Sequence, residues 1–174
     1  MFTTLNAIKQ HGPCVSGWRK LLNTLGKSST ADEPLSFSTI LDSNGLEDAL
    51  WCLRTLGGHQ QEKRLYAVWC ARQVLEATPD ISRALDLIEQ HALGHLSKEE
   101  FKAIEDIRRF YDKPSDISFV VLSTTKDNAT AAAISTSAAA RILVIQKGTT
   151  QEERQELYDK ELQKQAAEFR RVFG

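Results

Sequence analysis

Cysteine, proline and methionine are scarce in this chain. Three cysteines among 174 residues are an odd number, which argues against a disulfide framework. They form no C-x-x-C pair, and their separations match neither a zinc ribbon nor a finger. Nine glycines are spread thinly, with Gly57-Gly58 the only adjacent pair, so no glycine-rich loop is present to cradle phosphate. No Gly-x-Ser-x-Gly context surrounds the hydroxyl clusters Ser123–Thr125 and Ser135–Ser137. No apolar run approaches the roughly 18 residues of a membrane span. The stretch MFTTLNAIKQHGPC shows no basic segment followed by an apolar one, the pattern of a signal peptide. An excess of either charge is missing too. The 22 Lys and Arg against 23 Asp and Glu leave a net charge of −1, without the basic surplus usual in nucleic-acid binders. The expected setting is the cytoplasm, with no membrane partner and nucleic acid disfavoured.

What is present reads as helix. Hydrophobic residues make up 41% and charged residues 26%, close to an average globular composition and sufficient for a core. Phe2–Gln10 forms a turn or two of helix, broken at Gly12-Pro13. Ser16 then caps a helix to about Leu25, with Trp18, Leu21, Leu22 and Leu25 as its apolar stripe and Gly26 as its C-cap. Lys27–Pro34 is loop, and a short helix over Ser36–Leu41 ends near Asn44-Gly45. The segments Ala49–Leu56 and Ala67–Val74 share a pattern built on Trp-Cys, which predicts an antiparallel helix pair around Gly57-Gly58. Thr78-Pro79-Asp80 opens a helix to Leu93. Ser97–Glu100 is a capping box for another, to about Tyr111. Asp127 or Asn128 caps a helix from Ala129 to Lys147, whose small residues permit close approach. Thr150–Glu153 is a second capping box, opening a long helix striped by Tyr158, Leu162, Ala166, Phe169 and Phe173.

The fold expected is all-α: a multi-helix bundle with a Trp-Cys helix pair and a long C-terminal helix. The alternative is α+β, with short strands at Ile117–Leu122 and Ile142–Ile145 inside 117–147, because short apolar runs are ambiguous by periodicity. Residues 1–115 form a helical domain. Residues 116–174 form an Ala/Ser/Thr-rich segment and an amphipathic helix packed on the same core.

Candidate chemistry is thin. His11 and Cys14 stand in an H-x-x-C spacing, and Cys52, His59 and Cys70 are the remaining residues able to complete a metal or thiol site. Trp51-Cys52 and Trp69-Cys70 read first as core, since buried Cys acts as a small hydrophobe and Trp fills volume. His91 and His95 are four residues apart, but Gly94 intervenes, and a capping role is expected. Arg19, Lys20, Arg108, Arg109, Arg170 and Arg171 are the residues available for a basic face. No catalytic residue, cofactor or metal is assigned.

Two stretches carry a resemblance. Gly12-Pro13-Cys14, Gly17-Trp18-x-Lys20-Leu21-Leu22, Asp32-Glu33-Pro34-Leu35, Ile40-Leu41 and Asn44-Gly45-Leu46-x-Asp48-Ala49-Leu50-Trp51-Cys52-Leu53-Arg54 resemble a group of uncharacterised bacterial and prophage proteins. Trp69–Leu75, Ser82-Arg83-Ala84-Leu85 and Gly94-x-Leu96-Ser97 are similar to a helical family of immunity proteins. The likeness spans residues 5–110, and the C-terminal third departs from it. It implies an all-helical, phage-encoded protein that neutralises another macromolecule by stoichiometric binding, as an immunity-like or anti-defence inhibitor. The partner expected is another protein, met through the C-terminal helix with Tyr158, Phe169 and Arg170 as anchors. That helix is also the place for a homo-oligomer contact. The alternatives are a metal- or thiol-dependent enzyme using His11, Cys14, Cys52, His59 and Cys70, and a nucleic-acid-associated phage protein.

Overall fold

The computed structural model describes residues 1–76, 78–96, 116–126 and 128–174. The expected helix over Ser97–Tyr111 lies outside them. In chain order the elements are β1 (Phe2–Thr3), α1 (Leu5–Gln10), α2 (Val15–Leu25), β2 (Leu35–Ser36), α3 (Phe37–Asn44), α4 (Leu46–Cys52) with a 3-10 turn at Leu53–Thr55, α5 (Gln60–Val74), α6 (Pro79–Ala92), α7 (Asp116–Thr124), α8 (Ala129–Ile145) and α9 (Gln151–Phe173). The protein is an all-α bundle whose described strands are the two-residue pair β1 and β2, antiparallel with Phe2 opposite Ser36. No helix among the described residues is long and apolar enough to cross a membrane.

The chain forms two compact units, one of Met1–Gly58 with Lys164–Gly174, the other of His59–Gln163. This boundary differs from the division expected at residue 115. It also separates the two Trp-Cys segments, which were expected to pair. The first belongs to α4 and packs within its unit against α3, whereas the second belongs to α5 and packs against α8 and α6.

In the first unit, Leu5, Ile8, Leu21, Phe37, Ile40, Leu50 and Leu53 make the interior. Phe169 joins them, its ring 6.3 Å from Phe37 and 4.9 Å from Phe173. Several helix starts follow from a local donor–acceptor match, whereas α4 begins after Gly45 without a side-chain cap. Ser36 Oγ accepts from the Thr39 amide at 3.0 Å and opens α3. Gly26 ends α2 with φ +62°, the left-handed value that glycine reaches without a Cβ clash.

In the second unit, α8 presents Ala129, Ala132, Ala133, Ala139 and Ala140, all buried, and this small face lets α5 and α7 lie close. The apolar run at 117–122 is helical within α7, and Ile142–Ile145 closes α8, so neither is a strand. A strand would need a paired neighbour for its backbone groups. As a helix the run satisfies its own, while Val120 and Val121 are fully buried. That burial outweighs the few tenths of a kcal/mol that β-branched residues cost a helix.

The caps expected at the starts of α6, α8 and α9 form. Thr78 accepts from Ile81, Asn128 from Ala131, and Thr150 exchanges bonds with Glu153 at 3.1 and 3.2 Å.

Candidate functional site

In the first unit, the ends of α1, α2, α3 and α4 leave a cleft of about 100 Å³. Ile8, Pro13 and Ile40 supply apolar lining, and Trp18 and Trp51 add indole surface. Cys14, Asn44 and Asp48 bring polar groups, with Gly17 and Cys52 completing the lining.

Cys14, not Ser16, caps α2. Pro13 precedes it, and Cys14 takes an extended backbone (φ −62°, ψ 148°), so the helix starts at Val15. Its Sγ accepts from the Gly17 amide at 3.3 Å, while Ser16 Oγ lies 3.5 Å away inside the first turn. The Ser16 hydroxyl and then the Gly17 amide hold the exposed Cys14 thiol below its ordinary value, against the opposing charge of Asp48. A thiolate suits this position, because the helix N-terminus carries partial positive charge.

Gly17 has a steric role. A Cβ there would meet Asp48 Oδ2 at 2.7 Å and Cys14 Sγ at 3.1 Å. Its absence lets α2 approach the first turn of α4, where Asp48 stands. Asn44 ties the corner together, donating from Nδ2 to the Gly17 carbonyl at 2.8 Å and to Asp48 Oδ2 at 2.7 Å. Cys52, also facing the cleft, is buried, and that burial pushes its thiol up to about 12. It is protonated and inert at neutral pH.

The tryptophans, expected in the core, are half-buried. At the cleft, the Arg54 guanidinium sits 3.9 Å over the Trp51 ring, and Lys9 lies 5.2 Å from the Trp18 ring.

The residues proposed for a metal or thiol site divide between the two units. His11, Cys14 and Cys52 belong to the first unit, and His59 and Cys70 to the second. His11 is exposed at the end of α1. His59 precedes α5 with φ +62° and faces Glu62 at 3.1 Å. Among the described residues no three His, Cys, Asp or Glu side chains converge on a metal position.

The three expected protein anchors are also placed differently. Phe169 is fully buried, so its ring faces the interior of the first unit and offers nothing to a partner. Arg170 is exposed but bonded to Asp42, with Nη1 3.3 Å from Oδ2. Tyr158, in the second unit, is half-buried beneath Arg141, 5.7 Å from its ring. The buried stripe of α9 includes Glu161 and Gln165, polar residues that a hydrophobic periodicity passes over. Arg19, Lys20 and Arg171 are exposed, and Arg171 is paired with Glu168. Arg108 and Arg109 lie outside the described residues.

The second unit holds an enclosed polar group of its own. Tyr66, Cys70 and Ser137 are fully buried, with the Tyr66 hydroxyl bonded to Cys70 and Ser137. Arg141 donates to Ser137 Oγ at 2.8 Å. Burial, foremost, raises the Tyr66 phenol well above its usual range. Thr136 Oγ1, also buried, finds no partner among the described residues.

Comparison with protein-family models, with curated proteins and with solved structures gives no match to this chain.

Asn44, Asp48 and Gly17 escaped notice as site residues. Asn44-Gly45 reads as a turn, and Asp48 as a charge in a first helical turn. The one local signal was Gly17 three residues after Cys14, the spacing of a capped first turn.

Proposed function

We propose that this protein is a non-enzymatic binding module that associates stoichiometrically with another protein, through the Trp18–Trp51 cleft. The observation supporting this is a pair of half-exposed indoles, one with Arg54 stacked on it, flanking a mostly apolar recess. Tryptophan and arginine are the residue types that most often dominate binding energy at protein interfaces. The recess, at about 100 Å³, is smaller than the several hundred Å³ usual for small-molecule sites, and it suits one inserted side chain. The immunity-like or anti-defence role implied by the resemblance of residues 5–110 is compatible with such one-to-one association. With Phe169 in the interior, the docking surface moves from α9 to the cleft.

The test is partner capture by tagged wild-type protein, Trp18→Ala, Trp51→Ala and, as a control in the other unit, Trp69→Ala. Each cleft variant is expected to lose most of the captured partner, in line with the roughly 2 kcal/mol or more of an interface hot spot, while Trp69→Ala keeps it. Equal capture by all four would end this reading.

One observation favours a second reading, thiol chemistry at Cys14, since that thiol is exposed with its pKa lowered. The cleft lining includes no histidine to serve as its base. Catalysis that is abolished in Cys14→Ser and retained in Trp51→Ala would favour it over the binding module.

A further inference from the structure

Asp48 is the one carboxylate lining the cleft. Its Oδ2 accepts from Asn44 Nδ2 at 2.7 Å. Its Oδ1 accepts no hydrogen bond among the described residues, and no Lys or Arg among them forms an ion pair with it. The two rim cations, Lys9 and Arg54, are engaged on the indoles of Trp18 and Trp51 instead. The cleft therefore combines indole surface, a narrow apolar recess and one carboxylate oxygen in need of a donor.

We propose that the cleft receives a single lysine side chain of the partner protein, with its aliphatic stem against Trp18 and Trp51 and its ammonium on Asp48 Oδ1. This rests on the protein-binding reading above. Charge complementarity selects the occupant. A neutral apolar side chain would cover a half-buried carboxylate without replacing its water, which is costly. An acidic one would be repelled. Arginine is the weaker fit, because its planar fork is best matched by both oxygens of a carboxylate, and Asn44 already holds one. A lysine ammonium is a point donor that one oxygen satisfies. Its methylene stem packs on apolar surface.

The experiment titrates the full-length protein with n-butylammonium, a lysine side-chain mimic, and follows the indole N–H resonances. Trp69 serves as the internal control. The n-butanol isostere and n-propylguanidinium are titrated in parallel. Butylammonium is expected to move Trp18 and Trp51 but not Trp69, and to bind about three- to fivefold more tightly than butanol, the range of a partly exposed ion pair. Asp48→Asn should reduce it to the level of butanol. The wild-type comparison of ammonium with alcohol stands even if that variant does not fold. Equal binding of the two would overturn the assignment, as would a tighter guanidinium or an unmoved pair of cleft indoles. If the assignment fails while Trp18→Ala and Trp51→Ala still lose the partner, the lysine is wrong and the binding reading stands. If butylammonium binds as expected while those variants keep the partner, the cleft is a cation site and the partner's lysine is not its occupant.

Discussion

The two units handle polar side chains in opposite ways. In the first, Cys14, Asn44 and Asp48 gather at an open cleft, where Asn44 braces the corner and Cys14 and Asp48 keep hydrogen-bonding capacity for solvent. In the second, Tyr66, Cys70, Ser137 and Arg141 are enclosed between α5 and α8 and spend that capacity on one another. The cysteines show the consequence most clearly. Cys52 and Cys70 sit in matching Trp-Cys segments, and both are buried. Cys14 lacks that sequence context, is exposed, and is the thiol whose pKa is lowered. Reactivity follows burial and helix position, not the neighbouring residues in sequence. An enclosed polar group specifies packing, whereas an open one remains available to a ligand.

The comparison can be broken most forcefully from the interior. Phe169→Ala should cost about 3–5 kcal/mol, the usual loss for a buried phenylalanine, measured by denaturant unfolding. A near-neutral result would mean that the ring does not hold the first unit together. The next effect is steric. Gly17→Ala sets a Cβ against Asp48 Oδ2; the overpacking cost of about 1–3 kcal/mol is partly offset by the roughly 1 kcal/mol that alanine gains over glycine inside a helix, for a net loss of up to about 2 kcal/mol. Unchanged stability and an unchanged Cys14 alkylation rate would show that α2 has no need of close approach. In the second unit, Tyr66→Phe should cost about 1–2 kcal/mol by leaving buried partners unsatisfied. A stabilised variant would show that the enclosed network is dispensable.

Thiol reactivity sharpens the contrast without perturbing the fold. Near neutral pH, iodoacetamide should modify Cys14 in the native protein and leave Cys52 and Cys70 untouched until unfolding, as peptide mapping would reveal. Ser16→Ala removes the foremost group that lowers the Cys14 pKa, so its alkylation profile should move to higher pH. Asp48→Asn removes a charge that opposes the thiolate, so the profile should move lower. Shifts in the same direction would refute this electrostatic account. The smallest effect belongs to the surface pair Arg170–Asp42. Arg170 holds the Asp42 carboxyl below its ordinary 3.8. A carboxylate lowered on folding adds stability above its unfolded pKa and loses it as pH falls through the folded one. Arg170→Ala should therefore weaken the protein slightly at neutral pH and not at all once Asp42 is protonated. Because the pair is exposed, unfolding curves at the two pH values should differ only marginally.

Much of the helical plan was legible in the sequence because it is local. The caps at Thr78, Asn128 and Thr150 each need only a side chain and an amide three residues on, and Gly26 needs only its own backbone freedom. The class of the fold followed from these signals and from the missing strand periodicity. The apolar run of α7 stayed ambiguous, since its state depends on the small face of α8 that covers it. The buried Glu161 and Gln165 in α9 were equally hidden, because hydrophobic periodicity carries no sign for polar residues enclosed by packing.

The sequence by itself thus determined where helices start and stop, since capping and turn chemistry act over a few residues. It also determined the near-neutral charge and the absence of familiar catalytic motifs. Only the tertiary structure decided which cysteine is exposed at a helix start, that Phe169 is interior, and that Gly17, Asn44 and Asp48 share one cleft. The cleft depends on the approach of α2 to α4, elements separated by some twenty residues of chain, and the place of Phe169 depends on its packing against Phe37, far away in the sequence. Such contacts arise from the packing of whole faces, and no local pattern specifies them.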